Sequence, residues 1–409
     1  MAGRVPAKSS NPKQWNGILM AQAPPVTKAR GHYRHVRGGL DNAVTDARMR
    51  GLHDLPIVDV DCHIREPYNL FVKSLKPELR KALMAGYQDD PLDSKQSAIA
   101  RGLPYALRAT RPELTYPEEQ SPAEIIDTFA HRMSDIGIKR SILIPDTIMR
   151  LPMDPRPARF EVEIARAYIR FMTENFADYR EINFMIYAPL KDPERAAEII
   201  DDAASEKGVV GVQLSVLTPQ GAGTDEWNPI YEASQRHGLP IVIHGDAIYG
   251  EERGWIFAPF DRLLPMHVLA FPLTLARHIV SAVFDGLPVR FPNLKFVFME
   301  GGITYIPWLM QRMDDEYIKR KNEAPLLSKL PSEYMNEFYY TTQPLEGAHK
   351  NTLEAFFRMF DSENHLLYAS DYPHWDFDAP SVIYDLSFLS SAAKRKILGE
   401  NAAHVFKMT

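Results

Sequence analysis

The sequence contains a single cysteine, Cys62, among its 409 residues. No disulfide can form within the chain, and this favours a reducing compartment, so we expect a cytoplasmic protein. The N-terminal segment carries basic residues but lacks the apolar core of a secretory signal. No run approaches the ~18 consecutive apolar residues of a membrane span. These absences predict that the protein does not enter a membrane.

Charge of one sign is not concentrated in any part of the chain. The formal net charge is −6, and acidic and basic residues are interspersed. Nucleic-acid-binding proteins usually carry a basic face, and interaction tails usually carry blocks of like charge. We therefore expect a globular protein that acts on a small molecule and has no nucleic-acid partner.

From residue 57 onward, short apolar runs alternate with longer helical stretches such as 161–177 and 193–206. Near-continuous apolar runs are typical of parallel strands that are buried on both faces. Pro193 lies where a helix would begin, and Gly208 lies where one would end. Eight such strand-then-helix units favour an α/β protein folded as a closed (β/α)8 TIM-type barrel over an open sheet. The predicted strands are 57–62, 141–146, 183–189, 209–214, 240–244, 295–300, 337–342 and 366–371.

The barrel is predicted to span residues 55–409, preceded by an extended N-terminal arm at residues 1–54. The arm is rich in Pro, Gly, Arg and Lys, and its aromatic residues, among them Trp15 and Tyr33, have no evident partner in a self-contained barrel. We expect the arm to contact another subunit in a homo- or hetero-oligomer. A tail without contacts is the alternative.

Two long segments interrupt the regular alternation. Residues 64–125 follow the first predicted strand, and residues 246–274 follow the fifth. In (β/α)8 barrels the loops that follow the strands carry the active site. We therefore expect both insertions to line a substrate pocket.

Side chains that commonly bind metals lie at the ends of four predicted strands. The first strand ends in the pattern D-x-D-x-H, and alternate residues of a strand point to the same side. Imidazole and carboxylate groups together suit Zn, Fe or Mn. The sequence therefore predicts a divalent metal site at the mouth of the barrel. The candidate ligands are Asp61, His63, His244, Glu300 and Asp371, and Asp59 is expected to face the same point.

Two neighbours of these ligands are candidates for substrate binding. Arg65 could hold a substrate carboxylate through a bidentate pair, or could instead be a structural partner of Glu66. His374 lies three residues after Asp371 and could orient a substrate or bind metal. An exposed turn residue is the alternative for His374.

Several segments resemble one known family, namely IVDVDCHIREP, NPIYEASQRHGLPIVIHGD, RFPNLKFVFMEGGITYIPWLMQRMD and YASDYPHWD. They are similar to the amidohydrolase-related family that includes aminocarboxymuconate-semialdehyde decarboxylase and resorcylate decarboxylase. The resemblance runs from Ile57 to Met408, and it implies a distorted barrel of the metal-dependent hydrolase kind with one divalent metal. It implies that the ligands are Asp61 with His63 on the first strand, His244 on the fifth and Asp371 on the eighth.

The chain departs from this family at two positions. Asp61 stands where many members have His or Glu, and Glu300 stands where many decarboxylases have a histidine before two glycines. Glu300 is therefore a candidate catalytic acid, an anchor for a substrate amine, or a ligand of a second metal ion.

The leading hypothesis is metal-dependent hydrolysis or non-oxidative decarboxylation of a small organic acid, amide or ring compound, with one divalent ion that is Zn, Mn or Fe. In hydrolysis Asp371 would take a proton from water and His244 would help polarise the substrate. In decarboxylation Asp371 would protonate the ring carbon. The carboxylate-rich ligand set leaves open an oxygen-dependent hydroxylase with two Fe or Mn ions, similar to 2-aminoisobutyrate hydroxylase. A catalytically silent barrel subunit of a hetero-oligomer is the third alternative.

Overall fold

Eight parallel strands form one sheet in the sequential order β1 to β8. The computed structural model describes residues 39–83, 120–246, 263–374 and 376–408. Each observed strand overlaps one of the eight predicted runs, which confirms the (β/α)8 barrel. The strands are β1 (Ile57–Ile64), β2 (Ile138–Pro145), β3 (Ile182–Tyr187), β4 (Val209–Ser215), β5 (Ile241–His244), β6 (Phe296–Met299), β7 (Tyr339–Thr341) and β8 (Leu366–Leu367).

Backbone hydrogen bonds close the barrel between β1 and the residues that follow β8. The N–H of His63 donates to the carbonyl of Tyr372 at 2.8 Å, and the N–H of Asp371 donates to the carbonyl of Asp61 at 3.1 Å. The first and last strand ends are therefore held in register at the point where both carry predicted ligands.

Helices connect the strands and cover the outside of the barrel. They are α1 (Gly39–Arg50), α2 (Tyr68–Ser74), α3 (Pro77–Leu83), α4 (Pro122–Ile126), α5 (Met133–Asp135), α6 (Ala158–Phe176), α7 (Pro193–Ala203), α8 (Asn228–His237), α9 (Leu263–Phe284), α10 (Leu287–Arg290), α11 (Tyr305–Arg320), α12 (Pro331–Met335), α13 (Lys350–Arg358), α14 (Ser362–His365), α15 (Ser381–Tyr384), α16 (Ser391–Arg395) and α17 (Asn401–Val405). Short 3-10 helices lie at Leu52–Asp54, Ile148–Met153, Asp225–Trp227 and Lys321–Glu323, and π-helical turns lie at Asp127–Arg132 and Lys396–Glu400.

The helix boundaries follow from local sequence. The Asp192 side chain accepts a hydrogen bond from the N–H of Arg195 at 3.2 Å, and Pro193 occupies the first turn of α7, where its missing N–H has no cost. Helix α8 ends at Gly238, whose φ of 62° is left-handed, a conformation that glycine adopts without the steric penalty of a Cβ.

Apolar side chains pack in two layers. One layer lies inside the barrel and takes alternate strand residues such as Val60, Val242 and Val297. The C-terminal helix α17 closes the amino-terminal end of this layer with Val405, followed by Phe406. The second, larger layer lies between the strands and the surrounding helices. Both layers leave the carboxyl ends of the strands free for polar groups.

The N-terminal segment departs from its predicted conformation where the structure describes it. Residues Gly39–Arg50 form α1, and Ala47 is fully buried. The Arg50 guanidinium binds the carboxylate of Asp385 through Nε and Nη2, each at 2.7 Å. The prediction of an extended arm is therefore wrong for this part, because an amphipathic helix buries its small side chains against the barrel of the same chain. Residues 1–38 lie outside the described residues, and their contact with another subunit stays a prediction.

Both predicted insertions are described in part. The first contains α2 and α3, and its residues 84–119 lie outside the described part. The second continues into α9, and its residues 247–262 likewise lie outside.

Helix α9 contains a stretch, Leu264–Phe284, with a mean hydropathy of 1.4, and half of it is buried inside the protein. An apolar helix that packs against a barrel can have this length and composition without crossing a membrane. The stretch is therefore weak support for a membrane span.

Candidate metal centre

Four predicted ligands, Asp61, His63, His244 and Glu300, converge at the carboxyl ends of β1, β5 and β6. All four are buried, and their ligand atoms lie within 4.8 Å of one another. His63 Nε2 lies 3.4 Å from Asp61 Oδ1, and His244 Nε2 lies 3.2 Å from Glu300 Oε2. Three strands thus bring two imidazoles and two carboxylates to one point.

The fifth predicted ligand, Asp371, adjoins the same point. Its Oδ1 lies 3.2 Å from His63 Nε2. Asp371 also belongs to a second compact group, with His63 and His374. Because His63 is common to both groups, Asp371 and His374 border the centre that the other four residues form.

The donor atoms of this centre are short of hydrogen-bond partners. Among the described residues, both carboxylate oxygens of Asp61 and both ring nitrogens of His63 and His244 are buried and make no hydrogen bond. Leaving a buried polar group unsatisfied costs roughly 1–3 kcal/mol. Imidazole nitrogens and carboxylate oxygens are ligands of Mn, Fe and Zn, so a divalent ion fits this donor set and would satisfy these atoms.

Two of the carboxylate residues have a left-handed backbone. Glu300 has a φ of 63° and Asp371 a φ of 58°. Such a conformation costs a residue with a Cβ about 1–3 kcal/mol and is concentrated at functional sites. Gly301 follows Glu300, and a Cβ there would come within 2.5 Å of the Leu275 side chain. The chain therefore turns sharply, under strain, where each of the two carboxylates enters the centre.

Crowding of negative charge perturbs the carboxylates. Burial, and then the charges of Asp371 and Asp61, raise the pKa of Glu300 well above its ordinary value. Burial alone would also raise the pKa of Asp371, but the His374 and His63 imidazoles lower it below its usual range. A divalent cation would oppose the shift at Glu300, because a positive charge favours the ionised carboxylate.

His374 links the centre to the outer part of the barrel mouth. Its Nδ1 lies 2.6 Å from Asp371 Oδ1, and its Nε2 lies 3.8 Å from Asp146 Oδ1. Burial would lower the pKa of His374, but the carboxylates of Asp371 and Asp146 raise it well above the ordinary value. The structure places His374 in direct contact with a predicted ligand, and its role in substrate binding stays a prediction.

Arg65 lies beside the centre, as its position in the sequence indicates. Its Nη1 pairs with Asp146 Oδ2 at 2.8 Å. The carboxylate of Glu66 instead accepts three backbone N–H groups, from Asp146 at 3.0 Å, Thr147 at 2.8 Å and Ile148 at 2.7 Å. Glu66 therefore fastens the loop after β2 to the end of β1, and Arg65 binds the first residue of that loop.

Asp59 does not join the ligand groups, contrary to the alternation expected along the first strand. Its Oδ1 accepts the backbone N–H of Ser370 at 2.9 Å and of Asp61 at 3.3 Å. The pairing of β1 with β2 shifts register between Asp59 and Cys62, and this interrupts the regular alternation of side chains. Asp59 thus ties β1 to the residue that precedes Asp371.

Sequence reasoning missed three polar residues at the mouth. Gln343 donates its Nε2 to Asp371 Oδ2 at 3.2 Å, Asp146 contacts His374, and Asp376 Oδ2 lies 3.6 Å from His267 Nε2. Asp146 is the last residue of one predicted strand and Gln343 directly follows another, so the rule that a polar residue ends an apolar run would have found them. Asp376 lies in a loop and carries no such signal.

Two relatives in sequence are decarboxylases. Gamma-resorcylate decarboxylase from Polaromonas sp. is 24% identical over 316 residues, which cover 73% of this chain and 92% of that protein. A 2-amino-3-carboxymuconate-6-semialdehyde decarboxylase from Dictyostelium discoideum is 22% identical over 223 residues, which cover 52% of this chain and 58% of that protein.

Two solved structures share the fold. The 5-carboxyvanillate decarboxylase from Sphingomonas paucimobilis superimposes with a TM-score of 0.64 at 22% identity, covering 87% of this chain and 100% of that chain. The dihydroxybenzoic acid decarboxylase from Polaromonas sp., solved with manganese and the inhibitor 2-nitroresorcinol, gives 0.61 at 19% identity, covering 87% and 97%.

The family itself follows from a match over most of the barrel. The family model for amidohydrolases matches residues 152–408, more than half of the chain, including β3 to β8 and the predicted ligands His244, Glu300 and Asp371. The relatives support a metal-dependent hydrolase or decarboxylase and lend no support to a hydroxylase or a silent subunit. The prediction of a metal-dependent hydrolase or decarboxylase is confirmed, and the chain belongs to the amidohydrolase family.

Proposed function

We propose that the protein is a manganese-dependent, non-oxidative decarboxylase of a small hydroxylated aromatic acid. The observation that carries the proposal is the buried group of Asp61, His63, His244 and Glu300 at the mouth of the barrel, bordered by Asp371. The resemblance to gamma-resorcylate decarboxylase over most of both chains supports the reaction, and the manganese in a structural neighbour supports the metal.

Asp61, His63, His244 and Asp371 would hold the ion. The buried donor atoms of Asp61, His63 and His244 converge and lack other partners among the described residues, and Asp371 Oδ1 lies 3.2 Å from His63 Nε2. When bound, the ion supplies positive charge that can hold the substrate carboxylate together with a neighbouring hydroxyl. Arg65, at the same mouth, would hold a further anionic group of the substrate.

Decarboxylation requires a proton at the ring carbon that loses its carboxylate. Asp371 and His374 form a pair at 2.6 Å, and the carboxylates of Asp371 and Asp146 keep the proton on the His374 ring. We assign delivery of this proton to the Asp371–His374 pair, in which Asp371 passes a proton to the ring carbon and His374 replaces it. The bond between the ring and the carboxylate then breaks, carbon dioxide leaves, and the bonding electrons return to the ring.

Glu300 stands where many decarboxylases have a histidine, and it lies 3.2 Å from His244 Nε2. We assign it to the metal site or its immediate water. Glu300→Gln keeps the shape and removes the charge. If Glu300 is a ligand of a second ion, the variant should bind about one ion per chain fewer than the wild type. If Glu300 is a catalytic acid, the variant should keep its metal content while its rate falls by roughly 10²–10⁴-fold. Wild-type metal content and turnover would show that Glu300 is only structural.

The experiment is turnover by the manganese-loaded protein in D₂O with 2,6-dihydroxybenzoate and 5-carboxyvanillate, alongside simple amides and esters. The proposal requires loss of carbon dioxide and one deuterium at the carbon that carried the carboxylate. Asp371→Asn, a change that preserves shape, should abolish this incorporation. Hydrolysis of an amide or ester without decarboxylation would replace the proposal with a hydrolase, and substrate-dependent uptake of dioxygen would replace it with a hydroxylase.

A further inference from the structure

The end of β7 carries no predicted ligand, yet it bonds to both strained carboxylate residues of the centre. The Thr341 hydroxyl accepts the backbone N–H of Glu300 at 2.9 Å. Two residues later, Gln343 Nε2 donates to Asp371 Oδ2 at 3.2 Å. Glu300 and Asp371 are the residues of the centre with left-handed φ angles, so β7 braces the sharp turns on either side of it.

The orientation of the Gln343 amide is set by its hydrogen bond to Asp371. Gln343 is fully buried, its Nε2 also donates to the backbone carbonyl of Asp376 at 3.5 Å, and among the described residues its Oε1 has no hydrogen-bond partner. A carboxylate oxygen can only accept, so the NH₂ of Gln343 must face Asp371, and the amide cannot be flipped to satisfy Oε1. A buried, half-satisfied amide costs stability, and an apolar side chain of the same shape would avoid that cost. Its contact with Asp371 therefore has a role other than stability.

The carboxylate of Asp371 needs such a contact to stay in one orientation. The terminal torsion of an aspartate is broad and roughly two-fold, so the group rotates unless both oxygens are held. Oδ1 faces His374 Nδ1 at 2.6 Å and His63 Nε2 at 3.2 Å. Gln343 holds Oδ2 on the other side.

We propose that Gln343 is a positioning residue, which fixes the rotation of the Asp371 carboxylate so that Oδ1 is presented to the metal. Gln343 acts through Asp371 and not by touching substrate. The inference rests on the proposed metal centre, and it adds a residue that follows β7, a strand with no predicted ligand. Partners that orient metal ligands typically contribute about 10–100-fold to metal affinity or activity.

The test is the affinity of the full chain for Mn²⁺, measured on metal-stripped protein by the electron paramagnetic resonance signal of free Mn²⁺. Gln343→Met keeps the length of the side chain and removes the donor, and Gln343→Leu removes the donor with a shorter apolar side chain should the first variant fold poorly. The matched control is Thr342→Val. Thr342 lies in the same segment, and among the described residues its hydroxyl accepts the backbone N–H of Ala369, at 3.2 Å.

Both Gln343 variants should bind Mn²⁺ about 10–100-fold more weakly than wild type, with Thr342→Val within threefold. At saturating Mn²⁺ the Gln343 variants should lose kcat while KM stays within threefold. Wild-type affinity in either folded Gln343 variant, or an equal loss in Thr342→Val, would overturn the inference. A wild-type chain that binds Mn²⁺ but does not decarboxylate would refute the proposed function alone, because the affinity comparison still decides the role of Gln343. A wild-type chain that takes up no Mn²⁺ would overturn both.

Discussion

Glu66 offers the sharpest test of how the barrel mouth is held together. Its buried carboxylate accepts the N–H groups of Asp146, Thr147 and Ile148 at 2.7–3.0 Å. In Glu66→Gln one oxygen can still accept from Thr147 and Ile148, but the new NH₂ group faces the N–H of Asp146. One buried N–H then loses its acceptor, at a cost of roughly 1–3 kcal/mol, and the remaining two bonds lose a charged acceptor. We expect a loss of about 2–4 kcal/mol in the free energy of unfolding.

The same substitution should reduce activity, because the loop held by Glu66 begins with Asp146, which contacts both Arg65 and His374. Freeing this loop lets those side chains shift by fractions of an ångström, and such displacements can cost up to about 100-fold in rate. We expect kcat/KM for decarboxylation to fall by roughly 10–100-fold while the metal content stays at the wild-type level.

Glu161→Gln is the matched control. Glu161 is equally buried and also accepts three hydrogen bonds, from the Tyr187 hydroxyl at 2.7 Å and the N–H groups of Leu190 at 3.0 Å and Lys191 at 3.2 Å. It makes none of the metal-centre contacts described above. Denaturant unfolding should show a similar loss for both variants, whereas activity should fall only in Glu66→Gln. A stability loss below about 0.5 kcal/mol at Glu66, or an equal loss of activity at Glu161, would refute this reasoning.

Three further predictions concern the metal, pH and the N-terminal segment. His244→Ala should lose bound metal and activity while keeping the barrel, and stoichiometric Mn²⁺ in the purified variant would contradict the ligand assignment. Burial raises the pKa of Asp59 to about 7, and burial with the charge of Asp371 raises that of Asp376 to about 8. The folded metal-free chain therefore keeps protons that the unfolded chain releases above about pH 4, so its Tm should fall as pH rises from about 5 to 8. A Tm that rises across this range would refute the argument. A chain that begins at Gly39 keeps α1, and light scattering should show a smaller oligomer than the full chain forms. An unchanged oligomer mass would show that residues 1–38 are not an interface.

The architecture was readable from the sequence because it depends on repeated local patterns. Apolar runs between helical stretches predict buried parallel strands, and eight such units predict closure into a barrel. Closure places every strand end at one mouth, so His244, Glu300 and Asp371 could be assigned to a common site although they lie far apart in the chain. This inference needed the direction of each strand and not its detailed packing.

Other features depend on contacts that no local pattern encodes. The pattern D-x-D-x-H predicted three side chains facing the same side of the strand. Because the register of β1 shifts, the Asp59 carboxylate instead accepts the backbone N–H of Ser370. The arm was expected to be extended, yet residues Gly39–Arg50 form α1, which buries Ala47 and pairs Arg50 with Asp385, 335 residues away. Both outcomes reflect partners that are brought together only after the barrel closes.

The sequence by itself determined the strands, the closed barrel and the candidate ligands that meet at its mouth. Only the tertiary structure decided how each of those side chains is held: the left-handed turns at Glu300 and Asp371, and the bond from Gln343 to one oxygen of Asp371. The physical reason is the separation along the chain of the residues that interact. Hydrophobic periodicity is a property of neighbouring residues, whereas the orientation of a buried carboxylate is set by hydrogen bonds whose donors come from distant strands and act over a few tenths of an ångström.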